Sequence, residues 1–380
     1  MKNQIITTGA ELIAEAAISA GIDFFAGYPI TPASSIYSAM LRRLQAEGKL
    51  AIGTSDEISA VSMCIGASMR GAKSMTATSA PGLSLMVENI GYAFATETPV
   101  LIVLGQRLGP STGSATQSAE GDISFVKNLI SGGFHIPVFA ISSIDNCFQT
   151  TVNAINCSET LRTPVILLTE KDIAMSQSNI DFDKLNSQKT DIKIFNRKYY
   201  DFQSDQVFKT YDFDRSDEVP DFLPTGLGTT HRVVATASTH DKSGNLSKTS
   251  PEALSVIKHL SDKIEKRIDE YCFYTFDDEE GAETLLISFL GMSLIAQSAI
   301  KRARAEQKKV KHLILNTLFP VPEKLIRDCA SGTKKIIVPE INLDGQYAKI
   351  IAHLFKNQEL KSLTSLAGII RPEKILEEIL

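Results

Sequence analysis

Apolar positions along the first 170 residues alternate between helical spacing and short unbroken runs. Leu12, Ile13, Ala16 and Ala17 fall on one face of a helix predicted over 9–20, with Thr8 placed to cap it. A strand over 24–26 follows, then a helix to about residue 46 carrying Ile36, Met40, Leu41 and Leu44. The same rhythm predicts strands over 50–53, 73–78 and 100–105. Between them lie a helix over 56–70, on Ile58, Val61, Ile65 and Ala67, and one over 83–95 entered through an Ala80-Pro81-Gly82 turn. The run over 100–105 is apolar without interruption, as in a strand buried on both faces. A helix from Ile123, a strand over 136–140, a helix over 143–159 and a strand over 164–168 complete the series. Six strands with interleaved helices predict an α/β fold built on a doubly wound parallel sheet.

The pattern lapses after residue 180. Residues 180–220 mix charged, aromatic and polar positions without a period, and 217–220 and 226–238 read as an irregular connector. The polar turn Thr239-His240-Asp241-Lys242-Ser243-Gly244-Asn245 leads to a helix over 251–271 with alternating charges, predicted as a solvated bridge between domains. Alternation then resumes, with strands over 284–289, 310–316 and 335–339. Helices are predicted over 293–306, from Leu318-Phe319-Pro320-Val321-Pro322 onward, and over 345–355. The expected division is 1–180, 181–275 as connector with bridging helix, and a smaller α/β domain over 276–380.

The 380 residues, 43% hydrophobic and 22% charged, suffice for two ordinary cores. Net charge is -5, and no basic stripe with aromatics occurs, which argues against nucleic acid as a partner. No apolar run reaches membrane-spanning length, and the start Met1-Lys2-Asn3-Gln4 leads into a polar helix start without a leader-like stretch. A membrane partner is therefore not expected, and the expected location is cytoplasmic. Cys64, Cys147, Cys157, Cys272 and Cys329 are odd in number and lack metal-ligand spacing, so reduced, mostly buried thiols are expected rather than zinc or cluster ligands. The C-terminal segment holds no G-x-G-x-x-G and no P-loop.

Chemistry concentrates at the ends of the predicted strands. Gly27-Tyr28-Pro29-Ile30-Thr31-Pro32-Ala33-Ser34-Ser35 is stiffened by two prolines, and Ser34 or Ser35 is placed to cap the next helix. A rigid polar loop at the carboxyl end of a parallel strand is where such folds hold ligands. Glu57 opens a helix of small and apolar residues. An ordinary first-turn acid gains about 0.5 kcal/mol from the helix dipole. A buried one can hydrogen-bond a heterocycle and hold or pass a proton. Arg107, in Gly105-Gln106-Arg107-Leu108-Gly109-Pro110-Ser111-Thr112-Gly113, lies on the same sheet edge and offers a fork for a carboxylate beside hydroxyls and N–H groups. The six histidines are scattered, which speaks against a Ser/His/Asp nucleophile system.

Together, Tyr28-Pro29-Ile30-Thr31-Pro32, Asp56-Glu57-Ile58-Ser59-Ala60, Thr76-Ala77-Thr78-Ser79-Ala80-Pro81-Gly82, the 106–113 loop, Phe319-Pro320 and Glu340-Ile341-Asn342-Leu343-Asp344-Gly345-Gln346 resemble the alpha subunits of 2-oxoacid:ferredoxin oxidoreductases, most of all their 2-oxoglutarate branch. The resemblance covers nearly the whole chain. It implies that residues 1–180 are a thiamine diphosphate pyrimidine-binding domain and 276–380 a transketolase C-terminal-like domain. It also implies oxidative decarboxylation of a 2-oxoacid, with coenzyme A taking the acyl group and ferredoxin the electrons. Glu57 matches the glutamate that bonds the cofactor's aminopyrimidine, with Pro29 and Ile30 beside it. Thr31 and Arg107 match residues that hold the substrate, with Tyr28, Ser111 and Thr112 as further contacts. The chain has no G-D-G followed by Asn-Asn, Gly121-Asp122 being the nearest fragment, and no cluster-binding cysteines. The diphosphate site, Mg²⁺ and a 4Fe-4S cluster are therefore expected in a beta subunit. A gamma subunit is expected because the chain opens directly on this domain, and the chain alone is expected to be inactive. Ser114-Ala115-Thr116 and Leu108 depart from the 2-oxoglutarate pattern, which keeps pyruvate and branched-chain 2-oxoacids as alternatives. A non-catalytic scaffold subunit is the alternative of another class.

Overall fold

The computed structural model of the chain describes residues 3–201, 207–228 and 231–380. Met1-Lys2 at the N-terminal start, residues 202–206 of the connector and Thr229-Thr230 of the 226–238 run lie outside the described residues. The strands in chain order are β1 Gln4–Thr7, β2 Phe24–Gly27, β3 Leu50–Gly53, β4 Ser74–Thr78, β5 Val100–Gln106, β6 Val138–Ala140, β7 Pro164–Glu170, β8 Ser178–Asp181, β9 Tyr274–Asp277, β10 Thr284–Ser288, β11 Val310–Leu315, β12 Thr317–Phe319, β13 Lys335–Glu340 and β14 Glu359–Thr364.

Seven strands form the main sheet in the order β12-β6-β7-β5-β4-β2-β3. The six expected strands are all there and parallel to one another. β5 and β7 are buried at every position, because helices cover both faces. The seventh, β12, was not expected. It lies antiparallel to β6 and comes from the C-terminal half, where the sequence suggested a helix start at Leu318. That helix begins only at Glu323, and a three-residue strand is too short to show a period. Asn316 Nδ2 donates to the Ala140 carbonyl at 2.9 Å and fastens this strand's approach to β6.

Other differences fall where apolar patterning is weak. β1 pairs antiparallel with β8, at positions read as a helix start and as irregular chain. Helix Phe182–Thr190 follows, capped by Asp181. The second sheet has five strands in the order β14-β13-β10-β11-β9, of which β9 and β14 were not expected, nor was helix Pro372–Ile379. Ala80-Pro81-Gly82 is the first turn of helix Ala80–Ala95 rather than a turn before it. The 251–271 segment breaks into Pro251–Glu265 and Ile268–Tyr271 and is not a solvated bridge. His259 and Lys263 are both 0% exposed, and Lys263 Nζ donates to Glu97 Oε2 at 2.6 Å. Burial alone would raise the Glu97 carboxyl, but the charges of Lys263 and His259 outweigh it and hold it well below its usual range.

One core runs through both halves, from Ile13 and Phe25 to Phe319 and Tyr347. A smaller one under the second sheet includes Leu286, Met292 and Ile337, and it takes in Ala119 and Leu108 from the long loop after β5. The five cysteines are free thiols. No helix among the described residues is long and apolar enough to cross a membrane.

Candidate active site

β5, β4 and β2 are neighbours and parallel, so their carboxyl ends open on one edge. The chain leaves β2 for β3 on one side and returns to β4 on the other. Loops leaving β2 and β4 therefore diverge, which makes the crevice where open α/β sheets bind ligands. The loop after β2 is braced from below. A Cβ at Gly27 would sit 2.9 Å from the Phe25 ring and 3.0 Å from the Tyr37 ring, and Pro32 packs under Gly105. The expected serine cap is absent. Ala33 is the cap residue and makes no side-chain bond, while Ser35 Oγ donates back to the Pro32 carbonyl at 3.0 Å. Tyr28 and Pro29 are exposed, and Ile30 and Thr31 are half-buried.

Three strand ends are tied together at the Thr31 carbonyl. Ser79 Oγ lies 3.1 Å from it and 2.8 Å from the Gly105 carbonyl, sharing one proton between them. Arg107 Nη1 donates to the same Thr31 oxygen at 2.6 Å. Arg107 is only 5% exposed, so the surface arginine that composition would suggest is in fact a buried charge. No carboxylate forms an ion pair with it among the described residues, and its Nε is buried without a partner. A buried guanidinium short of acceptors is costly, and an anion relieves that cost.

Glu57 sits at the first position of helix Glu57–Met69. Asp56 serves as the cap, its carboxylate accepting from Ser59 N at 2.7 Å, so Glu57 is free of that task. Glu57 is 6% exposed, and no protein donor reaches its carboxylate among the described residues. Its wall is made by a glycine. A Cβ at Gly82 would lie 2.5 Å from Glu57 Oε1 and 2.2 Å from Thr78 Oγ1, so only glycine lets both side chains stand there. Thr78 and Ser79 are consecutive, which joins the Glu57 recess to the Thr31–Arg107 knot through one turn of backbone. A buried carboxyl and a buried guanidinium thus share one edge. The first can exchange a proton with a neutral heterocycle, and the second can hold a carboxylate.

Ser111 and Thr112 are placed differently. Both are exposed near the tip of the loop after β5, and neither side chain hydrogen-bonds Thr31 or Arg107 among the described residues. The tip is tightly turned, with Ser111 at φ 53° and Gly113 at φ 50°. Three further polar residues stand at this edge. Ser79 is one residue of the 76–82 motif. Gln106 and Asp122 are joined, Asp122 N donating to Gln106 Oε1 at 3.1 Å. Burial pushes the Asp122 carboxyl up to about 6, against the pull of Arg107's charge. Asp122 Oδ2 and Gln106 Nε2 are buried without partners. The sequence signal for Asp122 is Gly121-Asp122 itself, which reads there only as a diphosphate fragment.

Comparison with known proteins identifies the lineage. Residues 15–246 match the family model "pyruvate flavodoxin/ferredoxin oxidoreductase, thiamine diphosphate-binding", and residues 282–374 match "pyruvate:ferredoxin oxidoreductase core domain II". The 2-oxoglutarate synthase subunit KorA of Methanothermobacter marburgensis is 34% identical over 100% of this chain and 99% of its own length. That of Methanocaldococcus jannaschii is 33% identical over 98% of each. The solved 2-oxoglutarate:ferredoxin oxidoreductase of Magnetococcus marinus, with 2-oxoglutarate, coenzyme A and succinyl-CoA bound, superposes with a TM-score of 0.92 at 29% identity. That match covers all of this chain and 65% of the solved one. A split-gene transketolase shares the fold, with a TM-score of 0.55 at 12% identity. The chain belongs to the alpha-subunit family of 2-oxoacid:ferredoxin oxidoreductases, alongside the 2-oxoglutarate synthase subunits.

Proposed function

We propose that this chain is the alpha subunit of a 2-oxoglutarate:ferredoxin oxidoreductase, which converts 2-oxoglutarate and coenzyme A to succinyl-CoA and carbon dioxide and passes two electrons to ferredoxin. The observation that carries this reading is the juxtaposition on one sheet edge of the buried Arg107, whose Nε lacks a partner, and the largely buried Glu57, whose carboxylate meets no protein donor among the described residues. Arg107 spends Nη1 on the Thr31 carbonyl, and its remaining reachable guanidinium N–H groups answer a substrate carboxylate. On this reading the Thr31 hydroxyl and Tyr28 add contacts to the substrate, and the exposed Ser111 and Thr112, with the rest of 108–117, choose its far end.

The residues fit the pyrimidine half of thiamine diphosphate. Glu57 is buried, unpartnered and walled by Gly82, a recess that a larger residue would fill. When bound, thiamine diphosphate supplies the electron sink that decarboxylation of a 2-oxoacid needs. Glu57 would hold or return a proton at the aminopyrimidine, and Pro29 and Ile30 would help hold that half of the cofactor. Arg107 and Thr31 orient the 2-oxoacid, and the braced loop over 28–32 keeps the reactants at a fixed separation. On this reading the diphosphate site, Mg²⁺ and a 4Fe-4S cluster lie in a beta subunit, a gamma subunit completes the complex, and the assembly works in the cytoplasm. Ile58, Met63 and Leu85 are 47%, 43% and 51% exposed on the two helices flanking Glu57, an apolar surface suited to that beta subunit.

A scaffold subunit has no use for a buried guanidinium short of an acceptor beside a carboxyl left free of protein donors, which disfavours that alternative. The test is a substrate panel on the co-purified complex, read as coenzyme A-dependent reduction of ferredoxin or viologen. 2-Oxoglutarate is expected to give the highest kcat/KM. Preference for pyruvate or a branched-chain 2-oxoacid moves the assignment to those alternatives, and turnover without reduced acceptor overturns the oxidoreductase reading.

A further inference from the structure

The loop after β5 is anchored at its far end by the other half of the molecule. Ala119 is buried in the smaller core beside Leu286 and Met292, and Leu108 packs against it. Glu120 N donates to the Ile341 carbonyl at 2.7 Å, and Ile341 N returns a bond to Glu120 Oε2 at 3.1 Å. Asn342 Nδ2 reaches the Glu120 carbonyl at 3.3 Å. Gln346 then makes a two-point clasp: its Nε2 donates to the Gly121 carbonyl at 2.8 Å, and its Oε1 accepts from Ser124 N at 2.7 Å. The partners fix the amide's orientation, since one is an acceptor and the other a donor.

The peptide between Gly121 and Asp122 is thereby gripped from both sides. Its carbonyl is held by Gln346 from the C-terminal half, and its N–H by Gln106 from the end of β5. Gln106 precedes Arg107, whose Nη1 meets the Thr31 carbonyl. Gln346 is itself held in place, because Asn342 Oδ1 accepts from Gly345 N at 2.8 Å and from Gln346 N at 3.2 Å. The turn favours glycine at 345: φ is 66°, and a Cβ there would lie 2.0 Å from Ser362 Oγ.

We propose that Gln346 is a positioning residue for the 2-oxoacid site: through the 121–122 peptide and Gln106 it sets the stance of Arg107 and of the loop over 108–119. The C-terminal half thus governs substrate affinity without touching substrate. This rests on the reading of Arg107 and its loop as 2-oxoacid contacts, so the experiment carries a control for that reading. Gln346→Ala and Gln346→Met, the second keeping length and volume while removing both bonds, are compared with Arg107→Ala in the purified complex. Both Gln346 variants are expected to raise KM for 2-oxoglutarate at least about tenfold and to leave KM for coenzyme A within about twofold. Thermal midpoints of the complexes are followed in parallel. A 2-oxoglutarate KM within about twofold of the parent in Gln346→Met overturns the inference, provided Arg107→Ala raises it. An equal rise in both KM values together with a lowered midpoint also overturns it, because that marks a merely structural residue. If Arg107→Ala leaves KM unchanged, the reading of the site itself fails.

Discussion

At the scale of single residues, the site is defined by groups whose bonding is incomplete. Arg107 is buried with one backbone acceptor and an idle Nε, and Glu57 is largely buried and meets no protein donor among the described residues. Folding alone does not favour the Arg107 arrangement, since an unmet buried polar group costs about 1–3 kcal/mol, and more for a charge. Removing Arg107 should therefore cost binding rather than stability. Losing a charge-assisted bond of about 1.5–3 kcal/mol predicts a rise of about 10- to 100-fold in KM for the 2-oxoacid in Arg107→Ala, measured by steady-state kinetics, with a thermal midpoint no lower than the parent's. The strand-end placement of both residues is legible in the sequence, because each directly follows a strand or strand-end turn. Ser79 and Asp122 were not singled out, because a serine in a T-S-A-P-G run and an aspartate after glycine have many ordinary uses. Only the distances to Thr31 and Gln106 separate these two from such uses.

At the scale of elements, legibility followed burial. β5 and β7 announce themselves through apolar runs that a doubly covered parallel sheet requires, and β2, β3, β4 and β6 through their place in the helix–strand alternation. β1, β8, β9 and β14 have exposed positions and mixed composition, and β12 is three residues long, so no periodic signal existed to find. Helix Pro251–Glu265 shows the converse error. Its alternating charges suggested solvent on the outer face, yet Lys263 is fully buried against Glu97, a partner some 160 positions earlier that no local pattern could supply. Breaking such a pair leaves a lone buried charge, so Lys263→Met should destabilise the chain by about 3–5 kcal/mol. Burial pulls the Lys263 ammonium down to about 8, though Glu97 opposes this. Denaturant titration of the complex checks the loss. A change under about 1 kcal/mol would show the pair to be dispensable.

At the scale of the whole molecule, the two halves meet on a joint of acids. Burial raises Glu120 well above its usual range, and the charges of Glu170 and Glu340 add to the rise. Glu170 is pushed up to about 7 by burial and by Asp172, against the pull of the Gly291 N–H. Burial likewise raises Glu340, although the Tyr347 and Ala348 N–H groups oppose it. A carboxyl whose pKa is higher folded than unfolded stabilises the fold below the unfolded value. That stability is lost as pH rises through the folded one. The window for Glu170 runs from 4.5 to about 7. Across it the thermal midpoint of the parent complex should fall relative to that of Glu170→Gln, which stays neutral; parallel curves would contradict the assignment. The same joint carries the Gln346 clasp, so the fold's architecture and the site's geometry depend on one interface. The central question is whether this chain takes part in the chemistry. The most direct measurement is 2-oxoglutarate- and coenzyme A-dependent ferredoxin reduction by a complex carrying Glu57→Gln, with assembly checked by co-purification. The expected result is an intact complex with turnover lowered by at least about 100-fold, the scale of a lost proton-transfer group. An intact complex that retains the parent's rate would remove Glu57, and this chain with it, from the chemistry.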